Sequence, residues 1–216
     1  MPEADFYLTF SDLADAHSPV LCRDNTRNLD HVFGLRVDDR QVSTIRAEDE
    51  RSVAFDLIDL AAALYVSDWL ASRSLDYPSQ IHVSLPLRCP DIFTQQSIYE
   101  ALQHLLYWYT EDHWNFDFNL RSSPGRLAER RSRLWSAEYE EVALWSGGLD
   151  SLAGLCSRWF SSPIPTGQLL VGTGGNDYAF RRQRVIAKAV EQRLSANIEL
   201  VRLRISPRKI AQIPKH

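Results

Sequence analysis

The sequence predicts an α/β protein in two parts: an α+β domain over residues 1–125 and an incomplete parallel-sheet domain over 138–216, joined by a charged segment at 126–137. Three observations predict it. The first part alternates period-two strands with long apolar-periodic helices. A Ser-Pro-Gly breaker at Ser123 to Gly125 then ends that pattern. From Glu138 the order becomes strand, glycine loop, helix, strand, helix, strand, the signature of a parallel sheet covered by helices.

Asp5 to Phe10 and His31 to Val37 alternate apolar and polar positions, and Asp38-Asp39 marks a turn after the second strand. Phe55, Leu57, Ile58, Leu60, Ala61, Leu64, Tyr65, Trp69 and Leu70 recur at helical spacing, so a helix from Val53 to Ser72 is expected to pack on the sheet. Ile81 to Leu87 is another alternating strand, which Pro86 ends or places at an edge. Ile92 to Tyr109 is a second helix, and Trp114 to Leu120 alternates again. The first part therefore reads β-β-α-β-α-β. In the second part Glu141 to Trp145, Gln168 to Val171 and Ile198 to Arg204 are strands, with helices over Leu152 to Phe160 and Tyr178 to Leu194. A doubly wound sheet has about five or six strands, so this part reads as the opening portion of such a domain.

Composition sets the limits. A hydrophobic fraction of 44% with 24% charged residues, six Trp and eight Tyr belongs to a folded chain and excludes a disordered one. The opening residues lack a basic segment followed by an apolar run, and no stretch of about eighteen apolar residues occurs, so a cytoplasmic protein with no membrane partner is expected. Cys22, Cys89 and Cys156 are odd in number and far apart, which suits reduced thiols. The formal net charge of −4 conceals basic clusters at Arg126 to Arg133, Arg181 to Arg184 and Arg202 to Lys209, read as solvated helix faces. Nucleic acid is not expected as a partner.

The chemistry concentrates in Ser146-Gly147-Gly148-Leu149-Asp150-Ser151. A short apolar strand ending in Trp145, two glycines and then a helix place backbone N–H groups at the positive end of a helix dipole, which is an anion cradle. The glycines let the backbone approach a ligand closely, and the hydroxyls of Ser146 and Ser151 can donate to phosphate oxygens. Asp150, the candidate catalytic residue, would be repelled by a polyphosphate unless it holds Mg²⁺ or fixes the loop through backbone N–H groups. The motif is neither a Walker A loop nor a dinucleotide fingerprint, because the Gly-Lys-Ser/Thr and GxGxxG spacings are absent.

The segment VALWSGGLDSLAGL resembles the PP-loop of N-type ATP pyrophosphatases, and most of all that of the 7-cyano-7-deazaguanine synthase (QueC-like) family. The added N-terminal domain, with the helix around Asp56 to Arg73 and the segment Tyr109 to Phe118, is similar to the extension of QueC-like proteins in bacterial anti-phage (Qat) systems. The resemblance implies an adenine nucleotide α-hydrolase-like fold, with Ser146, Gly147, Gly148, Leu149, Asp150 and Ser151 binding the pyrophosphate portion of ATP together with Mg²⁺. It implies adenylation of a 7-deazaguanine carboxylate and capture by an amine or ammonia, as in an ATP-dependent C–N ligase, with a protein of the same defence operon as a possible partner. The family's Tyr-Gly-Gln turn is absent, Gln183 alone being a counterpart. Its four-cysteine zinc site is absent too, so zinc is expected only if a further C-terminal region supplies the ligands.

Two other readings stand beside this one: a PP-loop tRNA-modifying enzyme using the basic clusters, and a truncated chain that binds a partner without catalysis. Gly174, in the glycine loop after the second strand of the second part, and Arg181 with Gln183 after it, are candidate substrate or phosphate contacts on the carboxyl side of the sheet. Trp69, Trp108 and Trp114 are expected in the core, and Cys156 as a small buried apolar residue.

Overall fold

A computed structural model of the chain describes residues 4–14, 17–41, 48–71, 78–123, 125–126, 139–161, 167–173 and 177–214, with backbone alone at 48–51 and 211–214. Two compact units emerge: Met1–Val37, Ile45–Arg126 and Ser206–His216 form the first, and Asp38–Thr44 with Leu127–Ile205 the second. A break read along the chain does not anticipate the exchange of 38–44 and 206–216. Arg126, read as the start of a connecting segment, is fully buried in the first unit.

In the first unit the strand order is β5-β4-β1-β2-β3. β1 (Phe6–Phe10) pairs antiparallel with β2 (Ser18–Asp24), and β2 antiparallel with β3 (Leu29–Asp38). On its other side β1 is parallel to β4 (Gln80–Leu87), which is parallel to β5 (His113–Leu120). The crossovers carry α1 (Glu48–Leu70) before β4, and α2 (Pro90–Phe93) with α3 (Gln96–Thr110) before β5. The expected β-β-α-β-α-β order thus gains a strand. β2 lacks the apolar alternation of its neighbours because two of its four inward positions are polar: Ser18 and Asp24 are buried beside Val20 and Cys22. Asp24 closes the following turn by accepting from the Thr26 hydroxyl at 2.5 Å and the Arg27 N–H at 3.1 Å.

Alternate residues of these strands make the core: Phe6, Leu8 and Phe10 of β1, Ile81, Val83, Leu85 and Leu87 of β4, Trp114 and Phe116 of β5. Tyr99 of α3 packs edge-on against Phe116 at 6.0 Å. Helix α1 corrects the expected apolar stripe. Phe55, Leu60, Ala62, Ala63 and Val66 are buried, but Leu57, Tyr65 and Trp69 stand 54%, 55% and 57% exposed, while Asp56 and Asp59 are fully buried. The helix is turned to bring those carboxylates to Arg88 and Arg121, which directly follow β4 and β5, and to Arg126 further on. Trp108 is likewise exposed rather than in the core, whereas Trp114 is buried.

The second unit contains β6 (Glu141–Leu144), α4 (Leu149–Trp159), β7 (Gln168–Thr173), α5 (Asp177–Leu194) and the first half of β8 (Ile198–Pro214), with strand order β8-β7-β6. All three strands are parallel, Leu144 standing beside Val171 and Thr173 beside Leu203. Trp145, Leu155, Trp159, Leu170, Ala187, Val190, Ala196 and Ile198 form its core. The expected strand–loop–helix succession is present, with the last strand running past Arg204. Four of the six strand pairings described are parallel and two antiparallel, so the class is α/β with mixed pairing. Among the described residues no helix is long and apolar enough to cross a membrane.

Candidate functional site

The glycine loop is held from below before it reaches solvent. Glu141, opening β6, accepts from Arg158 Nε of α4 at 2.7 Å and from Gln168 Nε2 of β7 at 2.7 Å, so one carboxylate joins three elements. Those hydrogen bonds, Gln168's first and Arg158's next, hold its carboxyl below the usual range. At the other end of the strand Trp145 is buried. Its backbone N–H donates to Val171 O at 2.9 Å and its indole to Gln183 O at 3.0 Å.

Beyond Trp145 the chain turns through Gly147, whose φ of +70° lies in the left-handed region. A Cβ there would also stand 3.1 Å from Gln183 Cγ and 3.2 Å from its Cα, so glycine is required twice over. Gly148 caps α4 in extended conformation with no side-chain hydrogen bond to the helix end. Helix geometry leaves the N–H groups of Leu149, Asp150 and Ser151 without intrahelical acceptors, and they sit at the positive end of the dipole.

The loop is preformed. Ser146 Oγ accepts from Gly148 N–H at 3.1 Å and lies 3.0 Å from Ser151 Oγ, which reaches Gly148 O at 3.0 Å. The two hydroxyls assigned to phosphate oxygens are thus bonded to each other. An anion seated on the helix end would have to exchange that contact for its own. Ser146, Gly148, Leu149 and Asp150 are exposed, while Gly147 and Ser151 are half-buried. Asp150, in the first turn of α4, offers one exposed carboxylate, and among the described residues no three His, Cys, Asp or Glu side chains converge as a metal cage. One carboxylate with nucleotide phosphates completing the shell is a normal arrangement for Mg²⁺, so these residues fit a cation shared with a nucleotide.

Gln183 occupies a different place from the contact role expected of it. It is 2% exposed, and its Nε2 donates to Thr173 O at 3.1 Å and Ser146 O at 3.3 Å, clamping together the carboxyl ends of β6 and β7. Gly172 admits this clamp, because a Cβ there would come within 2.6 Å of Gln183 Oε1. Arg181 is exposed, its Nε donating to Asp177 O at 3.3 Å. Gly174 lies outside the described residues.

A further charged group stands at the start of α5, where the cluster Arg202 to Lys209, expected on a solvated helix face, lies instead on strand β8. Asp177 Oδ1 meets Arg202 Nη2 at 2.9 Å and Arg204 Nη1 at 3.4 Å, and the Arg202 guanidinium lies over the Phe180 ring at 4.7 Å. The Arg202 hydrogen bond, then the charges of Arg202 and Arg204, hold the Asp177 carboxyl below its ordinary value. The signal was in the alternation Ile198, Leu200, Arg202, Arg204, which continues an inward-facing register into arginine.

No protein-family model, curated protein or solved structure matches the chain.

Proposed function

We propose that the chain is a PP-loop ATP pyrophosphatase of QueC-like type, which adenylates a carboxylate, in the first instance a 7-deazaguanine carboxylate, and releases pyrophosphate in an anti-phage defence system. One observation carries the reading: a helix end without a side-chain cap, preceded by a left-handed glycine and flanked by two mutually bonded hydroxyls, within the sequence SGGLDS. Such a terminus favours a bound anion.

In the proposed reaction a substrate carboxylate oxygen attacks the α-phosphorus of ATP, the bond from that phosphorus to the β-bridging oxygen breaks, and pyrophosphate leaves. Ammonia or an amine then attacks the acyl carbon and AMP departs. The first-turn N–H groups of α4 hold the leaving pyrophosphate in line, and Ser146 and Ser151 donate to its oxygens after giving up their mutual bond. Asp150 would hold Mg²⁺, which would supply neutralisation of phosphate charge. Gln183 bonds the strand ends beside the loop, and Glu141 ties the opposite end of β6 to α4 and β7.

Mg-ATP is expected to raise the thermal midpoint of the wild-type protein, since a ligand at 100 times its Kd contributes about 2.7 kcal/mol. Gly148→Val, whose Cβ would press on Ser146 Oγ at 3.3 Å, and Asp150→Ala are expected to abolish that shift while remaining folded by circular dichroism. Pyrophosphate release with a 7-deazaguanine carboxylate and ammonia tests the substrate. A wild-type protein that Mg-ATP does not stabilise and that releases no pyrophosphate ends this reading.

A further inference from the structure

The second unit carries a cation pair in the first half of β8, beside the carboxyl end of β7, that is separate from the glycine loop. Along β8, Ile198 belongs to the unit's core and Leu200 packs against it, and the same alternation then delivers Arg202 and Arg204. Putting two arginines on the helix-covered side of a sheet costs desolvation that a surface position would avoid. They are held tightly: the side chains are 19% and 34% exposed, Arg202 lies over Phe180, and its backbone registers with Gly172 at the carboxyl end of β7. Their counter-ion is not built in to the same degree. Asp177, the first residue of α5, is 67% exposed, and both arginines reach the same one of its two oxygens.

The charges do not balance. Three guanidiniums, Arg181, Arg202 and Arg204, lie about one carboxylate, and all three favour its ionised form. Arg202 Nε and Arg204 Nε are shut off from solvent with no acceptor among the described residues. A dianion with three terminal oxygens supplies the charge and the acceptors that one carboxylate oxygen leaves wanting. The site lies at the amino end of α5, which favours a bound anion, beside the carboxyl end of β7.

We propose that Arg202 and Arg204 form a phosphate-binding site in which Asp177 is the internal occupant, displaced when a phosphate group binds. The site is independent of what the glycine loop binds. Its phosphate comes either from free phosphate or from the monoester of a nucleotide.

The test is titration calorimetry with inorganic phosphate and, separately, with AMP, on wild type, Asp177→Asn, Arg204→Gln and the double variant, with phosphorus NMR as a second readout. Removing the internal competitor removes its share of the bound population, so Asp177→Asn is expected to bind phosphate about ten-fold more tightly than wild type. Adding Arg204→Gln is expected to erase the gain. AMP binding more tightly than phosphate identifies a nucleotide monoester, and equal affinities identify the free anion. The gain is expected to persist in a Gly148→Val background, which separates this site from the loop. Equal affinity of wild type and Asp177→Asn, a gain that survives Arg204→Gln, or a gain lost with Gly148→Val overturns the proposal. Should Asp177→Asn fail to fold, wild type against Arg204→Gln decides: an unchanged phosphate affinity overturns it as well.

Discussion

The two units end their parallel strands in opposite ways. In the first, the residues after β1, β4 and β5 close on one another. Arg88 Nη1 reaches Asp56 Oδ1 at 2.9 Å and Asp59 Oδ2 at 2.7 Å, Arg121 Nη1 reaches Asp59 Oδ2 at 3.2 Å, Arg126 pairs with Asp59 Oδ1, and Arg121 Nη2 donates to Leu13 O at 2.5 Å. The N–H groups of Arg88 and Cys89 donate to Asp56 as well, at 2.9 and 2.8 Å. In the second unit the corresponding strand ends leave a glycine loop and a helix end without a side-chain cap open to solvent, beside an arginine pair met by one exposed carboxylate. Both carboxyl edges are polar. The first spends its polar groups internally and so fixes a fold, whereas the second keeps them accessible and so can receive a ligand.

The largest expected effect breaks this comparison at its buried end. Asp59→Ala leaves Arg121 and Arg126 without their shared carboxylate in an interior that water does not reach, and the loss of one partner from such a pair costs about 3–5 kcal/mol. Urea unfolding followed by tryptophan fluorescence should show that loss in the first unit's transition. Asp150→Ala, on an exposed helix turn, is expected to change stability by no more than about 0.5 kcal/mol. If Asp59→Ala costs as little as Asp150→Ala, the buried cluster does not hold the first unit together.

The contrast also explains what the sequence disclosed. The loop was legible because its chemistry is local: two glycines, two serines and an aspartate within six residues need only the strand before and the helix after to be interpreted. The three-strand parallel order of the second unit was legible for the same reason, each crossover being short and strongly periodic. The buried cluster was not legible. Asp56, Asp59, Arg88, Arg121 and Arg126 span seventy residues, and each taken singly looks like a surface charge. Only when β4 and β5 are paired do their ends meet α1, and the helical stripe then turns to bury aspartates where Leu57, Tyr65 and Trp69 seemed the better candidates. Gln183 reads from the sequence as a candidate substrate or phosphate contact, whereas its part in bonding Ser146 O to Thr173 O depends on a tertiary approach that no spacing encodes.

A smaller effect tests whether the open edge depends on backbone shape. Gly147→Ala forces a side chain into the left-handed region and toward Gln183, for an expected loss of about 1–2 kcal/mol together with the Mg-ATP shift. Gly154→Ala is the matched control. It lies in α4 with nothing within 4 Å of its added Cβ, so a gain of about 0.5–1 kcal/mol is expected and nucleotide binding should be kept. Equal behaviour of the two variants in differential scanning fluorimetry would contradict the loop's need for glycine.

The smallest effect concerns acid. Asp12 of the first unit and Glu141 of the second both have carboxyls held below their ordinary values, for different reasons. Burial raises that of Asp12, but hydrogen bonds from Ser122 and Ser123 together outweigh it; at Glu141 the hydrogen bonds from Gln168 and Arg158 dominate from the start. For a carboxyl lowered by folding, the stabilisation is complete above the ordinary value, near 4.5 for Glu141, and is lost as pH falls through the folded value. Glu141→Gln should therefore lower the midpoint of the second unit's transition at neutral pH, and the difference from wild type should shrink as pH drops below that value. Salt separates the two sites. Glu141 pairs with a partly exposed arginine, so 0.5 M sodium chloride should reduce its contribution, while Asp12, bonded to neutral serine hydroxyl and backbone N–H donors, should keep its own. Equal salt sensitivity at the two positions would mean that charge, rather than hydrogen bonding, anchors both ends alike.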